Sequence, residues 1–301
     1  MICFLGIDGG GSRSTAVLCD EIGAVVRRAK GGGLNFLGIG MDAARENLRA
    51  LVSDVTEGSA YAVAAAGIGC AALDGKADEK LTEALCGGTV PCKAICLDSD
   101  VSMALYAVKE RGCAAAAICG TGSMAAGRLP DGTVIHTGGW GARLGDEGSG
   151  YRLSVEAVRA ALSYADGVGE HTALYDAVMD FFRCRTKGEL IARFYDPPVS
   201  TREVAAFAPV FFGIAAKGDH AANTILNCQV LSFTDTVSAL MRRLPQGTPL
   251  GVWGGIFEHH APFRDLFIQT LSSRFPQTEV SLLPCAPEVA AAKRAMHLIL
   301  P

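Results

Sequence analysis

The sequence predicts an α/β protein with two similar sheets, and three observations carry that prediction. Short apolar runs alternate along the chain with segments whose apolar residues recur at helical spacing. The order strand, glycine-rich turn, hairpin strands opens the chain and starts again after Gly112, a repeat at a period of roughly 110 residues. Half of the 301 residues are apolar and only 19% are charged, which supplies a sizeable core and excludes wholesale disorder.

The elements follow in order. Ile2 to Ile7, Ser14 to Cys19 and Gly23 to Arg28 read as three strands of a hairpin meander. Met41, Ala44, Leu48, Leu51, Val52 and Val55 mark a helix, and Tyr61 to Ile68 a buried strand. A helix from Gly75 to Cys86, a strand from Lys93 to Leu97 and a helix from Val101 to Glu110 come next. The repeat then opens with strands Cys113 to Cys119, Met124 to Leu129 and Thr133 to Thr137. Residues 152 to 243 read as a helical insertion interrupted by Asp196-Pro197-Pro198. The chain closes with strand Pro249 to Trp253, helix Ala261 to Arg274, strand Glu279 to Leu283 and helix Glu288 to Leu300.

Composition narrows the function. The formal net charge is −4 and no run of five like charges occurs, so neither a nucleic-acid surface nor an anionic-membrane patch is expected. No window holds the 18 or more apolar residues of a spanning helix, and Ile2 to Ile7 has no basic flank. A cytosolic protein is expected. The eleven cysteines are scattered without a C-x-x-C pair, which points to buried reduced thiols rather than a disulfide framework or zinc site. His259 and His260 read as surface or capping residues, since no H-E-x-x-H or nearby Cys accompanies them.

Glycine is the strongest functional signal: 36 residues, well above the usual ~7%. The turn Asp8-Gly9-Gly10-Gly11-Ser12-Arg13-Ser14-Thr15 puts a carboxylate at a strand end before bare amides, hydroxyls and one guanidinium. Such a turn either grips an anion or is a tight hairpin. It is not a Walker A loop, and no H-R-D or V-A-I-K kinase signature occurs. Gly120-Thr121-Gly122-Ser123 repeats the small and hydroxyl chemistry, again as a phosphate site or a plain turn. Its G-x-G-x-x-A pattern is not a dinucleotide fingerprint, because Pro130-Asp131-Gly132 turns the chain back where that fingerprint needs a helix. Asp98-Ser99-Asp100 lies between strand and helix, where an Asp is a catalytic group or a helix N-cap. Six glycines lie from Gly138 to Gly150, around Trp140, Asp146 and Glu147, at an entropy cost that suits a functional loop. Gly254-Gly255 either lets an adenine ring lie on the backbone or turns a corner.

GIDGGGSRS (Gly6 to Ser14), GGGLNFLGIG (Gly31 to Gly40), DSDVSMAL (Asp98 to Leu105), ICGTGSMAAG (Ile118 to Gly127), GGWGARLGDEGSGY (Gly138 to Tyr151) and VWGGIFE (Val252 to Glu258) occur in that order. Together they resemble the sugar-kinase/actin/Hsp70 superfamily, and within it the N-acetylglucosamine kinase and BadF/BadG/BcrA/BcrD-type ATPase group. The resemblance spans nearly the whole chain. It implies two ribonuclease-H-like, actin-like ATPase domains around a central ATP cleft: residues 1–109 with a returning helix 288–301, and residues 110–287 with the helical insertion. It implies an enzyme using ATP and Mg²⁺ to phosphorylate the 6-hydroxyl of an amino sugar, N-acetylglucosamine first, and a homodimer. Asp8 would hold Mg²⁺ through water. Gly9, Gly10, Gly11, Ser12, Arg13, Ser14 and Thr15, with Gly120, Thr121, Gly122 and Ser123, would hold phosphates, and Gly254 and Gly255 would line the adenosine pocket. The sugar contacts map to Asn35, Asp100, Trp140, Gly141 and Asp146, with Asp100 as general base. The group also contains activators of acyl-CoA dehydratases, but Cys92-x-x-x-Cys96 does not lie beside a glycine motif as their cluster-binding cysteines do. A non-catalytic sugar sensor of the same fold is the third reading, disfavoured because the proposed base is present.

Overall fold

The computed structural model describes residues 2–11, 13–58, 61–110 and 112–300. Contacts divide the chain into two units, Met1–Ala114 with Pro130–Val134 and Leu283–Pro301, and Ala115–Leu129 with Ile135–Leu282.

The first unit runs β1 (Ile2–Gly9), β2 (Arg13–Cys19), β3 (Val25–Gly32), α1 (Phe36–Ile39), α2 (Met41–Thr56), β4 (Ala62–Cys70), α3 (Glu79–Cys86), β5 (Ala94–Asp98) and α4 (Asp100–Val108). β1, apolar along most of its length, is the central strand: it pairs antiparallel with β2 and parallel with β4. The sheet order is β3-β2-β1-β4-β5. Ala44, Leu48, Leu51, Val52 and Val55, the predicted helical stripe, bury one face of α2 among Leu5, Ile7 and Leu18 of the sheet. α3 begins at Glu79 rather than Gly75, because the Asp78 carboxylate accepts the Leu81 amide at 2.7 Å and starts the helix there. α1 was not predicted; four residues are too short to show a period, and Asn35 starts the turn by accepting the Gly38 amide.

The second unit holds β6 (Ala114–Cys119), β7 (Ser123–Arg128), β8 (Val134–Gly138), α5 (Gly150–Ala165), α6 (Leu174–Phe182), α7 (Lys187–Tyr195), α8 (Thr201–Ala205), α9 (Ala208–Ala216), α10 (His220–Met241), β9 (Leu250–Trp253), α11 (Gly255–His259), α12 (Ala261–Arg274) and β10 (Val280–Leu282). Its sheet order, β8-β7-β6-β9-β10, reproduces that of the first strand for strand. The repeat read in the sequence is therefore a repeat of topology. The insertion helices and the helices after β9 share an aromatic core, in which Phe233 of α10, Phe257 of α11 and Phe263 and Phe267 of α12 are fully buried. His260 does not cap α12 by its side chain; its ring stacks on Phe212 with centroids 3.7 Å apart.

α13 (Pro287–Met296) belongs to the first unit and covers the sheet face opposite α2. It ends four residues earlier than the predicted helix, in turns that return the 297–300 amides to carbonyls of its last turn. It packs directly on backbone. A Cβ on Gly6 would overlap the Glu288 carbonyl, and one on Gly67 the Ala291 carbonyl. Ala290, Ala291, Ala292 and Ala295, all buried, keep the helix side equally thin.

Gly67→Ala is expected to lower the unfolding free energy by about 1–3 kcal/mol or more, the usual cost of overpacking, because the obstructing atom is a helix carbonyl. Gly213→Ala, on the exposed side of α9 with open space around it, is expected to be neutral or to stabilise by up to ~1 kcal/mol. Urea melts of the two variants beside the parent chain check both.

Candidate active site

Each unit presents predicted residues at the same place in its sheet, the turn that follows the central strand. In the first unit, Asp8 pairs with Thr15 and Gly9 with Ser14 across the β1–β2 hairpin. Directly opposed residues share a face, so Asp8 and Thr15 lie on the α13 side and Ser14 on the α2 side. The Ser14 hydroxyl is buried and has no hydrogen-bond partner among the described residues. Gly11 has open space where a Cβ would be, and Arg13 is exposed. Ser12, also predicted to hold phosphate, lies outside the described residues. The Gly10 carbonyl accepts the Leu34 amide at 3.0 Å, which ties the hairpin to the segment carrying Asn35.

Asp8 is half-buried at the end of β1. Its carboxyl is pushed up to about 7, first by burial and then by the negative charges of Asp100 and Glu288. Burial also raises Asp100, against the lowering effect of the Val101 amide that Oδ1 accepts at 2.8 Å. Asp100 is not the helix cap. Ser99 is: its Oγ accepts the Ser102 amide at 3.1 Å, and Asp100 is the first residue of α4. Asp98 is buried and ion-paired, with Arg294 at 2.8 Å.

In the second unit three separately predicted segments converge. The Gly120–Ser123 turn joins β6 to β7, and its Gly120 and Thr121 carbonyls accept the Gly150 and Tyr151 amides at the start of α5. Ser123 Oγ donates to the Glu147 carbonyl at 2.7 Å. Asp146 is buried with φ of 64°, a left-handed conformation unusual for a residue with a side chain. Its carboxyl is raised by burial, opposed by hydrogen bonds from the Ser123 and Gly141 amides. A Cβ on Gly122 would lie 2.8 Å from Asp146 Oδ2. Gly254, with φ of 106°, packs on the Cys119 carbonyl just before the turn, and Gly255 follows as the first residue of α11. Trp140 stands 68% exposed beside this cluster.

Sequence reasoning missed three contributors: Glu288, whose negative charge helps raise Asp8; Gln229, whose Oε1 accepts the Gly148 amide at 2.9 Å; and Arg152, which donates to the Gly145 carbonyl at 3.0 Å. Glu288 and Gln229 are distant in sequence from what they touch. Arg152 had a readable signal, directly after the G-S-G-Y segment.

The model of the BadF/BadG/BcrA/BcrD ATPase family matches residues 5–293, and the chain belongs to that family. It is 27% identical to an N-acetyl-D-glucosamine kinase of Dictyostelium discoideum, over 98% of each chain. It is 28% identical to an N-acetylmuramic acid/N-acetylglucosamine kinase of Clostridium acetobutylicum, over 92% of each. Among solved structures, a candidate N-acetylglucosamine kinase from Porphyromonas gingivalis shares the fold with a TM-score of 0.75, at 20% identity over 99% of each chain.

Two measurements test the first-unit geometry. Ser99→Ala is expected to cost about 0.5–2 kcal/mol of stability through the lost cap, whereas Asp100→Asn leaves the melting temperature nearly unchanged. The folded chain holds the Asp8 proton up to about pH 7, while the unfolded chain releases it near ~3.9. The folded form thus binds more protons in that window, so stability in EDTA-containing buffer falls as pH rises from about 4 to 7. In Asp8→Asn that component of the slope is absent, as denaturant melts at several pH values will show.

Proposed function

We propose that this chain is an ATP-dependent kinase that phosphorylates the 6-hydroxyl of an amino sugar, with N-acetylglucosamine the first substrate to try. The observation that carries the reading is a pair of half-buried carboxyls, Asp8 and Asp100, held at the edge of one sheet in a chain similar end to end to an N-acetyl-D-glucosamine kinase.

Asp100 is the general base. A sugar hydroxyl needs a positioned proton acceptor as it attacks the γ-phosphate, a contribution worth ~10²- to 10⁴-fold. Asp100 occupies the first turn of α4, held against rotation by the Val101 amide on one oxygen. The Gly9–Thr15 hairpin and the Gly120–Ser123 turn take the phosphates, through amides that no side chain screens at the glycines and through hydroxyls. Gly254 and Gly255 pass the adenosine. Asn35, Trp140, Gly141 and Asp146 take the sugar. Asp146, fixed by two backbone amides, presents an oriented carboxylate to sugar hydroxyls, and the exposed face of Trp140 suits the apolar side of a pyranose.

The donor set also fits Mg²⁺. Asp8 lies among like charges that a divalent cation would relieve, and Thr15 shares its face. Asp8 would hold the ion, which supplies charge neutralisation on the phosphates when bound. Reduced cysteines, six of them buried, accord with work in the cytosol.

A coupled ADP assay over N-acetylglucosamine, glucosamine and N-acetylmuramic acid tests the activity, with sugar-stimulated turnover expected. Asp100→Asn is expected to lower kcat by at least ~10²-fold with Tm and KM for ATP little changed. Asp8→Asn is expected to shift the Mg²⁺ concentration for half-maximal rate upward. Near-normal kcat in Asp100→Asn would remove it as the base, and turnover of ATP that no sugar stimulates would remove the kinase reading.

A further inference from the structure

Four acids of the first unit surround the proposed base: the charges of Asp100 on α4 and Glu288 on α13 act on Asp8 of β1, and Asp98 ends β5 two residues before Asp100. Two of them have an arginine. Glu288 is ion-paired with Arg28, and Asp98 with Arg294 through Oδ2 and Nη2 at 2.8 Å. Asp8 and Asp100 have no ion pair among the described residues, and they are the two acids that the kinase reading puts to work.

We propose that Arg294, from the last helix of the chain, is the positioning residue for the base Asp100, acting through Asp98. This rests on the kinase reading above. Arg294 leaves one Asp98 oxygen free for backbone, and Asp98 Oδ1 accepts the Ser99 amide at 2.7 Å. Ser99 in turn caps α4 through the Ser102 amide, and Asp100 follows the cap directly as the first residue of the helix. The pinned segment is Asp98-Ser99-Asp100 itself. Arg294 grips α4 further along as well: its Nη1 lies 4.0 Å from Met103 Sδ, and its guanidinium carbon sits 6.0 Å from the Tyr106 ring centroid. The Tyr106 hydroxyl then hydrogen-bonds His297, one residue past α13. From below, the Asp100 backbone is seated on Gly69, where a Cβ would lie 3.0 Å from the Asp100 Cα.

The arrangement has a direct consequence for the base. Rotation of the β5–α4 junction by even a fraction of a turn displaces the Asp100 carboxylate, and misplacement by ~1 Å can cost a factor of ~10² in rate.

Arg294→Met alone strands a buried carboxylate, so the informative variant is Asp98→Asn with Arg294→Met. The side-chain amide that Asp98→Asn introduces keeps an oxygen for the Ser99 amide, and no unpaired charge remains. We expect this double variant to melt close to the parent chain, to keep KM for ATP within about twofold, and to lose about tenfold or more in kcat with the best amino-sugar acceptor. Arg294→Lys, which keeps the charge but not the planar fork, should retain most of the rate. The decisive comparison is in the Asp100→Asn background. A residue that acts only through Asp100 has nothing left to position there, so adding the double substitution should lower kcat no further. A folded double variant with parental kcat would overturn the inference while leaving the kinase reading intact. So would a loss that multiplies undiminished onto Asp100→Asn. If the parent chain phosphorylates no amino sugar, both fall together.

Discussion

The first unit depends on one close approach, that of α13 to the bare backbone of β1 and β4. Helices usually pack on sheets through side chains of both partners. Here Gly6 and Gly67 leave no side chain on the sheet, and the helix meets it through its own carbonyls and a row of alanines. Dispersion contacts depend steeply on separation, so a seat this tight admits few alternative positions. That rigidity is useful because of what the helix carries. Glu288 near one end and Arg294 near the other are delivered, from the far terminus of the chain, to Arg28 on β3 and Asp98 on β5.

Electrostatics explains why such delivery is needed. Like charges crowded in a partly desolvated place either acquire counter-charges or give up their ionisation. The first unit does both, pairing two acids with guanidinium groups and leaving two raised by burial. An acid kept free of ion pairs can accept a proton or attract a cation, and this distinguishes Asp100 from Asp98 although only Ser99 separates them. Neither burial nor residue type alone would sort the two.

The second unit shows the same sheet order put to different use. Where β1 ends on Asp8-Gly9, β6 ends on Cys119 and the turn opens with Gly120. The carboxylate there is Asp146 instead, brought in by the glycine-dense loop and accepting the Ser123 and Gly141 amides in a left-handed backbone conformation. A turn after the central strand thus appears twice, once beside two acids without an ion pair among the described residues and once beside a single oriented one.

Much of this was legible in the sequence, and the reason is locality. Period-2 and period-3.6 patterns, turn glycines and a repeated strand order are properties of neighbouring residues, so strands and long helices fell within a few residues of their observed bounds, α12 from Ala261 to Arg274 without error. The glycine motifs marked both turns for the same reason. Short α1, the late start of α3 and the role of Ser99 rather than Asp100 as cap were decided by single hydrogen bonds that leave no period. Which acid stands free was decided only by tertiary structure. Arg294 lies 196 residues from Asp98, and the alanine-rich helix that carries it gives no local sign of its partner. The pairing exists because Gly6 and Gly67 let that helix sit on the sheet, and contact across such a distance is a property of the folded chain.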